Sequence, residues 1–441
     1  MVRLGSVCLR RLAEGRRRLE VRFHRLLHNP QVTAQRIIAG WSEPTVAASA
    51  GRHVLAIQDT SELTFRTRAE RRRGLGPIGK GVGHGLLLHP MLAVDAESRD
   101  CLGLLGGRVW TRPAKGPRPR TAAGRKKKVH GKAAFADRES SRWVETAREA
   151  GERLATAAMV TLIADREADM YPLWALAPAT NVHVLGRVYH DRPVVGGGCL
   201  SNVAHPWPVS GSRRITLRER EERPERDAVV EVRSGSVTIA RPRAVPARDG
   251  LPDQITLTFL EVTEPSPPEG VEPVNWRLLT THPVADPEKA WQVVDWYRCR
   301  WIIEQFFRTL KKQGLNIEDS QIADAEYLIK LVAVACRAAV LTLQLTQARD
   351  GGSRLPISVV FDAQEKAVLD RVNQTYSGRT RLQSNPYPPH SLAWAAWIIA
   401  RLGGWDGYPS SRPPGPITFK NGIDTFKTMT AGWALQNVCM P

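Results

Sequence analysis

Two short apolar runs constrain the fold of this chain more than any other feature. VLAIQD (54–59) and VTLIAD (160–165) are strand-like, and each ends on an aspartate. Runs this apolar and this short read as strands buried in a sheet. A carboxylate placed directly after a buried strand must be solvated at the sheet's edge or neutralised by a cation. Asp59 and Asp165 both face that choice.

The rest of the chain supplies a mixed α/β context. Residues 1–45 are Arg-rich with helical spacing, and Asn29-Pro30 marks a turn. From Arg52, HVLAIQDTSELTF, HGLLLHPMLAV and CLGLLGGRVWT read as three consecutive strands. The basic loop RPAKGPRPRTAAGRKKKVHGK (112–132) is either a solvated linker or a phosphate contact. DRESSRWVETAREAGERLA then predicts a helix leading into the strand that ends on Asp165. Alternating segments in 191–275 predict antiparallel strands, and VNWRLLTTHPV one strand more. Two long helices follow, one from Ala285 through the basic stretch ending in KKQG and one over ADAEYLIKLVAVACRAAVLTLQLTQ. LAWAAWIIARLGGW and a weaker helix near GIDTFKTMTAGWAL close the chain.

Charge narrows the partner. With 63 Lys+Arg against 44 Asp+Glu the formal charge is +19, which favours a polyanion through phosphate neutralisation and counterion release. Nucleic acid is expected, and no membrane: the longest apolar run, 327–345, is interrupted by Lys330 and Arg337 and reads as a buried helix. Six cysteines without a Cys-x-x-Cys pair argue against a zinc site and a disulfide framework. The basic N-terminus lacks the apolar core of a secretory signal, so a reduced, cytoplasmic location is expected.

The stretch DWYRCRWIIEQFFRTLKK carries a third acid. At about 100 degrees per residue, Tyr297, Arg300, Glu304, Arg308 and Lys311 fall on one face of a continuous helix. Trp296, Ile302, Ile303, Phe306, Phe307 and Leu310 fall on the other and predict a buried stripe. Glu304 alone could simply pair with Arg300 and Arg308, at about 0.2–0.5 kcal/mol per pair. Joined by Asp59 and Asp165 it completes a set of three carboxylates, the hard-oxygen donors that Mg2+ prefers.

These residues resemble a known family. The order Asp59, Asp165, Glu304 and the spacing Tyr297-x2-Arg300-x3-Glu304-x6-Lys311 are similar to the DDE transposases with the YREK signature, the insertion-sequence family four group. AIQDTSELTF, DRESSRW, ADREADMYPLW, VNWRLLTTHPV and SLAWAAWIIARLGGW extend the likeness over most of residues 25–435.

The resemblance implies an α/β fold: a ribonuclease-H-like catalytic core with an all-β insertion, a small helical N-terminal segment and a helical C-terminal region. The corresponding segments are a short basic DNA-binding piece (1–45), the first part of the core (46–190), an antiparallel β insertion (191–275), the second part of the core with the YREK helix (276–372) and a C-terminal helical dimerisation region (373–441), within which 423–435 resembles the family's dimerisation helix. Relatives usually carry a fuller helical domain ahead of the segment matching Arg25 to Pro30.

It also implies roles. Asp59, Asp165 and Glu304 would hold two Mg2+ ions, for which Mn2+ would substitute. Arg300 and Lys311 would hold phosphates and Tyr297 would hydrogen-bond the same strand. Trp276 would stack on a base flipped out of the duplex, its alternative being a half-buried strand tryptophan. Arg187, Arg25 and His84 stand at positions where DNA contact or solvation are both open. The implied activity is cut-and-paste transposition on double-stranded DNA by a homodimer: nicking, hairpin formation and opening, and strand transfer. The rivals are a hydrolytic nuclease of the same fold, and a catalytically idle DNA-binding remnant or inhibitor.

Overall fold

The computed structural model describes the chain except for residues 66–72, 80–82, 114–137, 176–180, 218–224, 244, 246–249, 313, 377–383, 409 and 439–441. Most of the basic loop 112–132 therefore lies outside the described residues.

Helices α1 (Leu9–Leu12), α2 (Arg17–His28) and α3 (Ala34–Ser49) precede strands β1 (His53–Gln58), β2 (Ser61–Thr64), β3 (Gly76–Ile78), β4 (Gly83–Asp95) and β5 (Cys101–Trp110). Then come α4 (Ser141–Arg153), β6 (Met159–Ala164), α5 (Tyr171–Trp174), β7 (Val182–Arg187), β8 (Gly211–Leu217), β9 (Arg226–Ala240), β10 (Gln254–Thr263) and β11 (Asn275–Thr280). The chain closes with α6 (Pro287–Arg298), α7 (Trp301–Lys311), α8 (Ala325–Ala348), α9 (Ala363–Tyr376), α10 (Leu392–Leu402) and α11 (Pro416–Val438). The fold is mixed α/β, in two compact units: Met1–Ala50, Asp59–Pro119 and Trp301–Pro441 form one, Gly51–Gln58 and Arg120–Arg300 the other.

In the second unit β1, β6 and β7 are parallel, with Ile57 paired to Ile163 and Ile163 to Leu185. Residues 54–57 of β1 and 162–164 of β6 are almost wholly inaccessible, as the continuous apolar runs require of parallel strands covered on both sides. β11 joins β7 antiparallel, and β10, β9 and β8 continue in antiparallel order. In β9 the pattern turns to alternation, with Ala228, Val230 and Val232 buried and Val229 exposed, which marks a sheet covered on one face. On α4, Trp143, Ala147 and Ala150 make the buried stripe.

A histidine cluster lies within this unit. The Thr161 hydroxyl is 2.8 Å from both His53 Nε2 and His282 Nε2. The His183 and His282 rings stack at 3.9 Å, and Trp296 lies against His53 and His282. Burial above all, then the nearby His183, His53 and Lys289, pushes His282 down to about 3. Its ring is neutral in both folded and unfolded chains above the ordinary value of 6.5. As pH falls below that, only the unfolded chain takes up the proton, until about pH 3. Stability is therefore lost on acidification through this window, by about 1 kcal/mol per pH unit. A lower urea midpoint at pH 5 than at pH 7 is expected, with a smaller difference in His282→Gln. Equal slopes in the two proteins would refute the assignment to His282.

In the first unit β4 is the hub, antiparallel to β2, β3 and β5. Helix α3 lies so close on β5 that a side chain at Gly103, whose φ is +153°, would collide with Thr45. Helix α8 is long and apolar enough to cross a membrane by length and composition, yet most of its residues form the core of this unit. Lys330 is tolerated there because its ammonium donates to Leu27 O (2.9 Å), Asn29 O (3.2 Å) and Glu326 Oε1 (2.9 Å). It thereby satisfies carbonyls at the end of α2. Helix α11 packs Phe419, Ile423 and Phe426 into its own unit, so the Ile423 end of the expected dimerisation helix serves intramolecular packing. Among the described residues of α11, the exposed large apolar side chains are Ile417 and Met429.

Candidate active site

Two of the expected strand and helix boundaries are redrawn at the residues that matter. HVLAIQDTSELTF is two strands: β1 stops at Gln58, and Asp59 and Thr60 separate it from β2. Asp59 accepts a hydrogen bond from Thr60 N (2.7 Å), and the Thr60 hydroxyl meets Nδ1 of the buried His89 at 2.8 Å. The expected continuous YREK helix is also broken. Helix α6 ends at Arg298, Arg300 N donates to Tyr297 O (3.0 Å), and α7 begins at Trp301. Neither Gly nor Pro stands at the break.

Tyr297 is not the exposed polar-face residue that a continuous helical wheel predicts. Its side chain is buried, with 7% of the residue exposed. Burial raises the phenol's pKa; the cations of Arg300 and Arg187 work against that, and Asp165 adds to it. A hydrogen bond with Arg300 also favours the ionised form, but the phenol stays neutral at ordinary pH because the net shift is upward. The Trp276 ring is half-buried and lies 6.5 Å from that of Tyr297.

Asp165 caps a single 3-10 turn (Arg166–Ala168), accepting from Glu167 N at 2.9 Å. The parallel register pairs Ala164 with Gly186, so Asp165 and Arg187 each follow that pair by one residue. Arg187 donates to Asn275 O (3.0 Å), next to Trp276. The second unit thus gathers Asp165, Arg187, Trp276, Tyr297 and Arg300.

Below this group sits a residue that motif reading passed over. Asp169, the last acid of DREAD, has a wholly buried side chain. It accepts from Trp174 Nε1 (2.9 Å), Tyr189 N (2.7 Å), His190 N (2.8 Å) and Arg192 Nη1 (2.7 Å), and Arg192 Nη2 also binds its carbonyl (2.9 Å). The Trp174 ring fills the space a side chain at Gly186 would need. One carboxylate thereby ties the turn after Asp165 to the loop after Arg187. The signal was an acid four residues beyond Asp165, but nothing in the sequence names Arg192 as its partner.

The first unit holds Asp59, Glu304 and Lys311. Glu304 lies in the first turn of α7, where the helix dipole favours a carboxylate; this adds a reason for an acid within a basic face. Ile302, Ile303, Phe306, Phe307 and Leu310 are buried as expected. The Lys311 ammonium donates to Glu62 O and lies 3.9 Å from Glu318. Burial lowers its pKa, against the pull of Glu318 and Glu62. Arg25 is exposed on α2, and His84 is half-buried on β4 opposite Pro77. Among the described residues no three His, Cys, Asp or Glu side chains are gathered as a ready metal cage.

Residues 125–335 match the family model of the transposase DDE domain. Among solved structures the chain is similar to the cryo-EM structure of a piggyBac transposase synaptic complex with hairpin DNA, at 11% identity over 69% of this chain and 49% of that one, with a TM-score of 0.31. The match spans about half the length of that protein.

Proposed function

We propose that this protein is a cut-and-paste DNA transposase of the YREK group, built on a ribonuclease-H-like core with an all-β insertion, in which Asp59, Asp165 and Glu304 act as one catalytic set. The observation that carries this reading is the match of residues 125–335, which include Asp165, Tyr297, Arg300, Glu304 and Lys311, to the transposase DDE domain. The strand register supports it: Asp59 and Asp165 each follow by two residues the paired Ile57 and Ile163.

The three acids are half-buried hard-oxygen donors, a set suited to Mg2+ or Mn2+. Asp59, Asp165 and Glu304 would hold two such ions, which when bound supply Lewis-acid stabilisation to the attacking and leaving oxygens of a phosphodiester. Arg300 grips a phosphate by its planar fork and Lys311 by its point charge. Tyr297, kept neutral by burial, donates its phenolic hydrogen to a phosphate oxygen. Trp276 offers its ring to an unstacked base. In nicking, water forms a bond to phosphorus as the bond to the 3′ oxygen breaks. The freed 3′-hydroxyl then replaces water as nucleophile on the opposite strand, its bond to phosphorus forming as the flanking DNA's 3′ oxygen leaves, which closes a hairpin that water opens before strand transfer. Two ends require two active sites, hence a homodimer on DNA, working on the nucleoid in the cytoplasm.

The test is a cleavage and joining assay with the purified chain, Mg2+ or Mn2+, and a labelled duplex from the DNA flanking its gene. Metal-dependent nicks, hairpins and joined products are expected. Cleavage of any DNA without hairpins or joining identifies a hydrolytic nuclease instead. Salt-sensitive binding without cleavage identifies an idle DNA-binding protein.

A further inference from the structure

The loop after β7 carries an aromatic side chain that the steps above do not use. Tyr189 is 68% exposed, and the His190 ring meets it edge-on at 5.0 Å. A single exposed tyrosine on an ordinary loop needs no explanation. This loop is held unusually firmly, however. Three successive backbone N–H groups are fixed: Val188 N donates to Arg277 O (2.8 Å), and Tyr189 N and His190 N both donate to the buried Asp169 carboxylate. A buried acid with its own guanidinium partner is a costly means of holding a loop whose central side chain is two-thirds exposed.

The pedestal stands beside Arg187, two residues away, and Arg187 follows the same paired level of β6 and β7 as Asp165. A rigid, exposed ring two residues from an arginine has the form of a stacking platform for single-stranded nucleic acid, in which an aromatic side chain and a cationic groove act together. The chain's charge of +19 favours the same class of ligand.

We infer that Tyr189, braced by His190 and held in place through Asp169, stacks on an unpaired nucleobase next to the scissile phosphodiester, so that the protein prefers DNA ends with unpaired bases. This rests on the transposase reading and adds a second base contact to that of Trp276. The ring, rather than the hydroxyl, makes the contact.

The experiment measures binding of the full chain to two oligonucleotides, a blunt duplex and the same duplex with a short unpaired 3′ extension carrying 2-aminopurine. The wild-type protein is expected to bind the extended DNA more tightly and to quench the 2-aminopurine fluorescence. In Tyr189→Ala the ratio of the two affinities falls about tenfold and the quenching disappears, while Tyr189→Phe and Tyr189→Trp keep both. An unchanged ratio and quench in Tyr189→Ala overturns the inference, as does a Tyr189→Phe protein that behaves like the alanine variant, since the hydroxyl would then be the contact. Failure to bind either DNA overturns the transposase reading and this inference together. Normal cleavage and joining with no preference for unpaired ends overturns the inference alone.

Discussion

Asp165→Asn abolishes DNA cleavage and joining, with an expected loss of at least about 10³-fold, equivalent to about 4 kcal/mol in the barrier. The substitution is chosen to separate chemistry from folding. Asp165 caps its 3-10 turn by accepting one hydrogen bond from Glu167 N, and an asparagine amide oxygen can accept the same bond. The turn survives, while the negative charge that would hold a divalent cation is gone. Thermal unfolding should stay within a few degrees of wild type. Binding to DNA at low salt should be kept or slightly tightened, because one like charge near the phosphates has been removed. Asp59→Asn and Glu304→Ala should give losses of the same order, and combinations should add little, since residues acting as one unit are not additive. Substantial cleavage by Asp165→Asn in the metal-dependent assay would remove Asp165 from the catalytic set.

The largest effect on stability is expected at Asp169. In Asp169→Ala, Arg192 Nη1, Trp174 Nε1 and the N–H groups of Tyr189 and His190 all lose their carboxylate acceptor, and Arg192 keeps only its bond to the backbone carbonyl of residue 169. Breaking a buried ion pair by removing one partner typically costs about 3–5 kcal/mol, and the orphaned donors put this case at the upper end. Urea unfolding followed by tryptophan fluorescence measures the loss. The double variant Asp169→Ala with Arg192→Met should recover part of it, because no charge is then left buried. A single-variant cost below about 1 kcal/mol would show that the carboxylate does not hold the loop.

These two residues show how unevenly the structure could be read from the sequence. Asp165 was legible because a strand covered on both faces must be apolar throughout, so the first acid after it stands out. The buried stripe of α7 was legible from helical periodicity for the same reason: burial dictates residue type. Asp169 was not, since its partner lies 23 residues away and a charged residue type does not say whether it will be solvated or paired. The break between α6 and α7 was equally hidden. Cys299 and Arg300 are acceptable helix residues, so nothing in their type marks the two residues that separate the helices. Tyr297 shows a related limit, because a single helical wheel over this stretch puts it on a polar face while its phenol is buried. Lys311 illustrates a further limit: its place on the basic face was readable, but its contacts with Glu62 and Glu318, distant in sequence or on other elements, were not.

The pairing of β1 with β6 also dictates how the chain must be made. His53 is paired with Met159, so about a hundred residues separate a strand from its nearest parallel neighbour in this unit. At roughly 5–20 residues per second of synthesis, β1 leaves the ribosome some 5–20 s before β6 exists. During that interval a strand with no charge between Val54 and Gln58 has its ladder groups unmatched on that side. Non-local parallel pairing of this kind folds slowly and is exposed to misassembly. Yield of soluble protein should therefore depend on translation speed, temperature and chaperone supply more steeply than the well-packed finished sheet would suggest.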